Sequence, residues 1–383
     1  MDFKDKIILI RVEYNVPLNS KGKITDNSRI TLSIPTLKAI LKQKPKQIIL
    51  MTHLGRPDPE NPDNKLKTNI LAKELEKLIK RKIVKVDHCG EKALPKPTEA
   101  KIIMLENLRF YKEEKEGNVK FAKQLRNLAD YYVNESFGTC HRKDASMFAV
   151  PKQFPSNKRY LGLLVEEEVK KLTEVFDSKH LTVILGFAKI SDKLKIMKKL
   201  LKKSDKALIG GAVAFSFLKS EGLEIGKSLC KNPDLAKKIL KKYNKKILLP
   251  VDFHGMNKGK RMYTDFDKMD KDFCGYDIGP KTVKLFEEEL KNSEMVLWNG
   301  PLGMFEKKPY DQGTNNIAKT LVKNKIKTII GGGDTALAIK KSGTSKEFYH
   351  ISTGGGASLE FIEKGNLPSI KLIKKTIYTH KNS

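Results

Sequence analysis

Thr328-Ile-Ile-Gly-Gly-Gly-Asp-Thr335 is the stretch whose reading decides the fold. A β-branched run ends in three glycines, and an acidic residue then opens a helical pattern, so the segment reads as strand, turn, helix. Taken alone, the turn fits a plain tight turn or a phosphate cradle at a helix N-terminus equally well. Outward from it the same grammar repeats. Strands are expected at Ile7–Val12, Gln47–Thr52, Ile83–Val86, Ile102–Leu105 and Tyr131–Val133. They recur at Leu181–Leu185, Ala207–Ile209, Ile247–Leu249, Met295–Trp298, Thr328–Ile330 and Phe348–Ile351. Amphipathic stretches lie between them, among them a helix over Val165–Phe176. Such alternation specifies α/β domains built on parallel sheets. Almost every run ends in Gly, Asn, His or Arg, and in open α/β sheets ligands bind just beyond those carboxyl ends.

The chain has 383 residues, too many for one ordinary core and suited to two domains. The irregular stretch Pro151–Lys158 marks the boundary. No apolar run approaches the length of a membrane helix, and Met1–Lys6 leads into a strand without a signal-peptide core. Cys89, Cys140, Cys230 and Cys274 are widely spaced, which argues against a disulfide framework or a zinc site and fits a reducing cytosol. The net charge of +30 raises the question of nucleic acid. Pairs such as Lys198-Lys199 and Lys237-Lys238 instead read as solvated helix faces, and no basic arm or aromatic RNA-binding motif accompanies them. No specific nucleic-acid partner and no membrane are expected.

Arginine is scarce against this lysine background. Of 75 Lys+Arg, nine are arginine, and all but Arg261 precede residue 160. A guanidinium binds phosphate or carboxylate bidentately, which a lysine cannot do. Arg29, Arg56, Arg109 and Arg142 sit in polar clusters at the ends of apolar runs or at a helix start. The second half carries glycine clusters instead: Gly210-Gly211, Gly300 to Gly303, Gly331 to Gly333 and Gly354 to Gly356. One half looks built to hold a small polyanion, the other to bring its backbone close to phosphates. His53 and His141 taken singly read as structural, Cys140-His141 as a weak nucleophile candidate, and Gly222–Ser228 as a turn rather than a P-loop.

In order along the chain, the motifs are far more specific. They are Arg11-Val-Glu-Tyr-Asn-Val-Pro17, Asp26…Arg29, His53-Leu-Gly-Arg-Pro57, Glu106-Asn-Leu-Arg-Phe110 and His141-Arg142. The second half adds Ala188-Lys-Ile-Ser-Asp-Lys193, Trp298-Asn-Gly-Pro-Leu-Gly-Met-Phe-Glu306, Gly331–Ala336 and Ser352–Ser358. From Asp2 to Ile370 the chain resembles the phosphoglycerate kinase family. The resemblance implies two doubly wound parallel-sheet α/β domains joined by a hinge helix, with a cleft between them. Residues 1–158 would bind the triose, 159–362 the nucleotide, and 363–383 would pack back on the first domain.

The resemblance also implies the site. Glu13, Asn15, Arg29, His53, Leu54, Gly55, Arg56, Arg109 and Arg142 would bind 3-phosphoglycerate or 1,3-bisphosphoglycerate. Arg29 would steady the carboxyl group and the moving phosphoryl, and Arg56, Arg109 and Arg142 the 3-phosphate. Lys189 and Gly355 would join Arg29 in catalysis. ADP or ATP would lie on Gly186, Lys193, Gly211, Asn299, Glu306, Gly332, Gly333 and Thr335, with Mg²⁺ carried by Asp334. A cytoplasmic monomer is implied. Three positions depart from the family pattern: Glu13 for an aspartate, Phe187 for the second glycine of a pair, and Ala212 for a third glycine. The acceptor in the reverse direction is a carboxylate, already ionised near neutral pH, so no general base is required. The rival readings are a polyanion-binding protein on an old kinase fold and a kinase for another acyl phosphate. Retention of Arg29, Lys189 and Asp334 together argues against the first, and the four-arginine patch against the second.

Overall fold

The computed structural model describes residues 2–90, 94–96, 98–373, 375 and 377. The chain divides into two compact units, Met1–Lys170 with Asn366–Ser383, and Lys171–Gly365. The division falls inside the helix Leu163–Asp177 rather than at 158, and the return at Gly365/Asn366 rather than after 362.

In the first unit, β1 (Ile7–Val12), β2 (Gln47–Met51), β3 (Val84–Lys85), β4 (Ile102–Met104), β5 (Tyr131–Glu135) and β6 (Arg159–Leu161) form one sheet. Its order is β3-β4-β2-β1-β5-β6, and every pairing is parallel. β2 and β4 are buried along their whole length, as strands covered on both faces by crossover helices must be. The helix Ser28–Lys42 sends Ile30, Leu37 and Ile40 into the same core as Ile8, Ile10, Ile48 and Leu50. Residues 375 and 377 join this unit. Leu161 N–H donates to Lys375 O at 2.8 Å, and Ile377 N–H to Leu161 O at 3.1 Å.

The second unit repeats the plan. β7 (Leu181–Leu185), β8 (Lys206–Ile209) and β9 (Ile247–Leu248) are followed by an antiparallel sheet of β10 (Asp252–Asn257), β11 (Lys260–Asp265) and β12 (Phe273–Ile278). β13 (Met295–Asn299), β14 (Lys327–Gly331) and β15 (His350–Ile351) complete a parallel sheet of order β15-β14-β13-β7-β8-β9. Ile184, Leu208, Val296, Trp298 and Ile330 anchor its core.

All eleven strands expected from the sequence exist, with ends displaced by at most two residues. β6 and the antiparallel sheet were not anticipated. β11 is exposed over its first four residues and so carries no apolar alternation to read. Its hairpin turns at Lys258 and Gly259, both at positive φ. The Gly222–Ser228 segment is a turn, with Lys227 paired to Asp272 at 2.5 Å.

The helix Leu163–Asp177 starts on a buried carboxylate. Glu135 Oε1 accepts from Thr36 Oγ1 at 2.6 Å and from Leu164 N–H at 3.3 Å, and a Cβ on Gly162 would overlap its other oxygen. Burial pushes the Glu135 pKa up to about 8, outweighing the donors from Thr36, Leu164 and Val165. Between its ordinary 4.5 and that value, the folded chain keeps a proton that the unfolded chain has released. The stabilising contribution is therefore complete below the ordinary carboxylate range and is lost as pH rises through the window, by up to about 1.4 kcal/mol per pH unit. Glu135→Gln should flatten this slope. Urea titrations of both proteins across the window check it; equal slopes would show that Glu135 stays ionised.

Candidate active site

The first unit gathers its polar residues where β1, β2, β4 and β5 end. Arg29, in the first turn of its helix, donates from Nη1 to Glu13 Oε1 at 3.2 Å and to Asn15 O at 2.9 Å. The longer Glu13 side chain also reaches Ser136, whose Oγ donates to Oε2 at 2.6 Å. Asn15 Oδ1 accepts from Gly55 N–H at 2.8 Å. Gly55 lies at φ +66°, and its carbonyl accepts from Arg109 Nη1 at 2.6 Å. His53 is buried, and its Nδ1 lies 2.8 Å from Arg11 Nη2.

One side chain organises the patch without having been singled out. Asn107 is fully buried and donates to Leu54 O at 2.8 Å and Leu66 O at 2.9 Å. Its Oδ1 accepts from Leu54 N–H and Arg109 N–H at 3.2 and 3.1 Å. Leu54 thus sits in the patch with its own polar groups already taken by Asn107. Arg56 is exposed and Arg142 half-buried. Burial, then Arg142 and Arg11, pull the Arg109 pKa down to about 10. Burial and the fields of Arg11, Arg109, Arg142 and Arg29 hold His53 well below the usual histidine range. Positive charge is crowded here beyond what the fold needs, which is the electrostatic signature of an anion site. Cys140 is no nucleophile: burial raises its pKa to about 12.

The second unit holds a cavity of about 470 Å³ at the carboxyl ends of its parallel strands. Gly186, Lys193, Gly211, Asn299, Glu306 and Gly332 line it, as do Gly333, Asp334, Thr335 and Gly355. Lys189 does not; it is exposed at the N-cap of the helix Ile190–Lys203. The helices Val213–Ser220, Gly333–Ser342 and Gly356–Lys364 also begin at this cavity, so their free N–H groups and positive dipole ends face it. Close backbone approach shapes the floor. A Cβ on Gly186 would overlap Pro301 O, and Gly300, at φ +94°, packs against Gly186 O. Thr335 Oγ1 accepts from Gly300 N–H at 2.7 Å and donates to Gly331 O at 2.9 Å, while Asn299 Nδ2 donates to Gly331 O at 2.7 Å.

Apolar and aromatic side chains complete the lining: Phe187, Phe215, Leu229, Phe253, Tyr276 and Met304. Of these, only Phe187 had been singled out in the sequence; Phe253 and Tyr276 lie on the unanticipated sheet, Phe215 on the helix Val213–Ser220, and Leu229 and Met304 in loops. Asp334 is exposed in the first turn of its helix, and no cluster of three His, Cys, Asp or Glu able to hold a metal occurs among the described residues. A carboxylate beside the free amides of a helix N-terminus suits Mg²⁺, which keeps few protein ligands and takes the rest from phosphates and water.

An arginine patch for a small anion in one α/β unit, and a cavity ringed by helix N-termini in the other, define a phosphotransferase of small substrates. Residues 1–365 match the family model for phosphoglycerate kinase. The chain is 41% identical over 391 residues to the phosphoglycerate kinase of Finegoldia magna, covering 97% of each. It is 41% identical over 389 residues to that of Dictyoglomus turgidum, covering 97% of this chain and 96% of the relative. The solved phosphoglycerate kinase of Coxiella burnetii superposes with a TM-score of 0.89 at 32% identity, covering 97% of each chain. The chain belongs to the phosphoglycerate kinase family, and it is a kinase, an enzyme of phosphoryl transfer in glycolysis.

Thr335→Val should keep the fold but leave the Gly300 N–H unpaired, while Gly331 C=O keeps its bond from Asn299 Nδ2. Each unpaired buried group costs about 1–3 kcal/mol. ADP affinity is therefore expected to fall about tenfold, which calorimetric titration reads directly; unchanged affinity would mean that the hydroxyl does not hold the cavity floor.

Proposed function

We propose that the first unit holds 3-phosphoglycerate or 1,3-bisphosphoglycerate and the second MgADP or MgATP, the phosphoryl passing reversibly between them. The observation that carries this division is the separation of tools: fork-shaped cations in one unit, glycine loops and helix N-termini in the other. In this reading Arg109, Arg142 and Arg56 bind the 3-phosphate, His53 donates to it, and Glu13 and Asn15 orient the triose hydroxyl and carboxyl. Arg29, 39% exposed and already aligned by Glu13 and Asn15, offers its remaining N–H groups to the reacting carboxylate and the moving phosphoryl. Lys189 and the Gly355 region would stabilise that phosphoryl. Lys193, Gly332, Gly333 and Thr335 would face the nucleotide phosphates, with Glu306 at the ribose and Gly186 and Gly211 against the base.

Asp334 would hold Mg²⁺, which supplies charge neutralisation on the phosphate oxygens. No side chain need take a proton from the acceptor carboxylate, so positioning and charge neutralisation carry a loose transition state. Direct transfer requires the two ligands to meet, the step for which a hinge was expected from the sequence. No described helix is long and apolar enough to cross a membrane. A cytoplasmic monomer without a nucleic-acid partner remains our reading, with the lysine surplus spread over solvated faces.

Arg29→Ala should lower kcat and kcat/KM together, by about 3 kcal/mol or more in transition-state stabilisation, while ADP binding is spared. Steady-state kinetics with calorimetry tests it, and a near-native kcat would remove Arg29 from catalysis. Phe187 gives a second test. Its ring is half-buried and lines the cavity instead of packing into the core. It narrows the space open to the base, so Phe187→Gly should tighten ADP binding and sharpen the preference for ADP over GDP. The expected size is about 1 kcal/mol, the scale of one aromatic contact. Weaker ADP binding in the glycine variant would show stacking instead.

A further inference from the structure

Behind the patch of the first unit, four buried side chains form one hydrogen-bonded chain. Glu114, 1% exposed, accepts from Ser146 N–H at 2.8 Å and from Ser146 Oγ at 2.5 Å. The same hydroxyl accepts from Arg11 Nε at 3.0 Å, and Arg11 Nη2 lies 2.8 Å from His53 Nδ1. Arg11 is fully buried, and its Nη1 donates to Val12 O at 2.5 Å.

The direction of every link is forced. A guanidinium carries only donors and keeps its proton throughout the accessible pH range. His53 Nδ1 must therefore accept, which leaves the ring's single proton on Nε2. Ser146 accepts from Arg11, so it gives its one hydrogen to Glu114. The carboxylate balances the guanidinium through the hydroxyl, and the buried cation is not left uncompensated.

We propose that Arg11 is a positioning residue that fixes His53 as the neutral Nε2–H tautomer, so that the anion site receives a donor of fixed direction with no charge to titrate. The other cations around the ring, Arg109, Arg142 and Arg29, oppose a second proton, as burial does. An imidazole in this state donates to an incoming phosphate across the neutral range and adds no charge to a patch already crowded with guanidinium groups. The use of that donor rests on the triose reading above; the tautomer itself does not.

The test is a long-range ¹H–¹⁵N correlation spectrum of the full-length, ¹⁵N-histidine-labelled protein, before and after addition of 3-phosphoglycerate. His53 is assigned by the signals lost in His53→Gln. The expected spectrum has His53 with Nδ1 unprotonated and Nε2 protonated throughout the neutral range. Ser146→Ala, which frees Arg11 Nε, and Arg11→Lys should each give mixed tautomers. The KM for the triose should rise about tenfold, the worth of one charge-assisted hydrogen bond, with kcat little changed. An Nδ1–H ring or an imidazolium in the unaltered protein overturns the proposal. So does a Ser146→Ala protein with unaltered tautomer and KM, a variant mild enough to fold where Arg11→Lys fails. A fixed ring whose signals ignore 3-phosphoglycerate upholds the lock and overturns the triose reading instead.

Discussion

In a parallel sheet all strands run one way, so every crossover helix must begin at the same edge. Both main sheets of this protein are wholly parallel, and that constraint does most of the functional work. It collects strand-end loops at one rim of each unit and points helix N-termini at the same rim. In the second unit the result is a cavity facing the starts of the helices Val213–Ser220, Gly333–Ser342 and Gly356–Lys364. In the first it is a set of loops short enough for side chains from β1, β2, β4 and β5 to meet.

What fills those rims differs, as the different ligands proposed for them would require. A nucleotide's phosphates can be met by amides and helix dipoles, and the glycines at 186, 211 and 300 let the loops of the cavity floor pack backbone against backbone. A small triose offers little surface and must be held by charge. Burial and then the neighbouring guanidinium groups depress the Arg109 pKa, a strain that an anion bound as proposed would relieve. Buried polar groups hold the geometry against the repulsion. Asn107 fastens the loops after β2 and β4 to each other, and Glu13, itself held by Ser136, fixes the Arg29 guanidinium.

Much of this was legible in the sequence. Strands buried on both faces are unbroken apolar runs, so the parallel sheets could be read directly, and the polar residue closing each run pointed at the rim. β11 could not be found that way, since its first four residues are exposed. The division inside Leu163–Asp177 was hidden because a continuous helix carries no linker composition. Arg29, His53 and Arg109 were visible as outliers in type and place. Arg11 and Asn107 were visible as residues but not as roles, because their partners lie tens of positions away in sequence. Lys189 and Lys193 looked alike as letters, yet only Lys193 lines the cavity.

In our reading, two binding sites of different construction serve one transfer, with no general base. The most direct measurement is a coupled assay of ADP formation from MgATP, run with and without 3-phosphoglycerate. Turnover should depend strictly on the triose. ADP formed equally fast in its absence would contradict that reading.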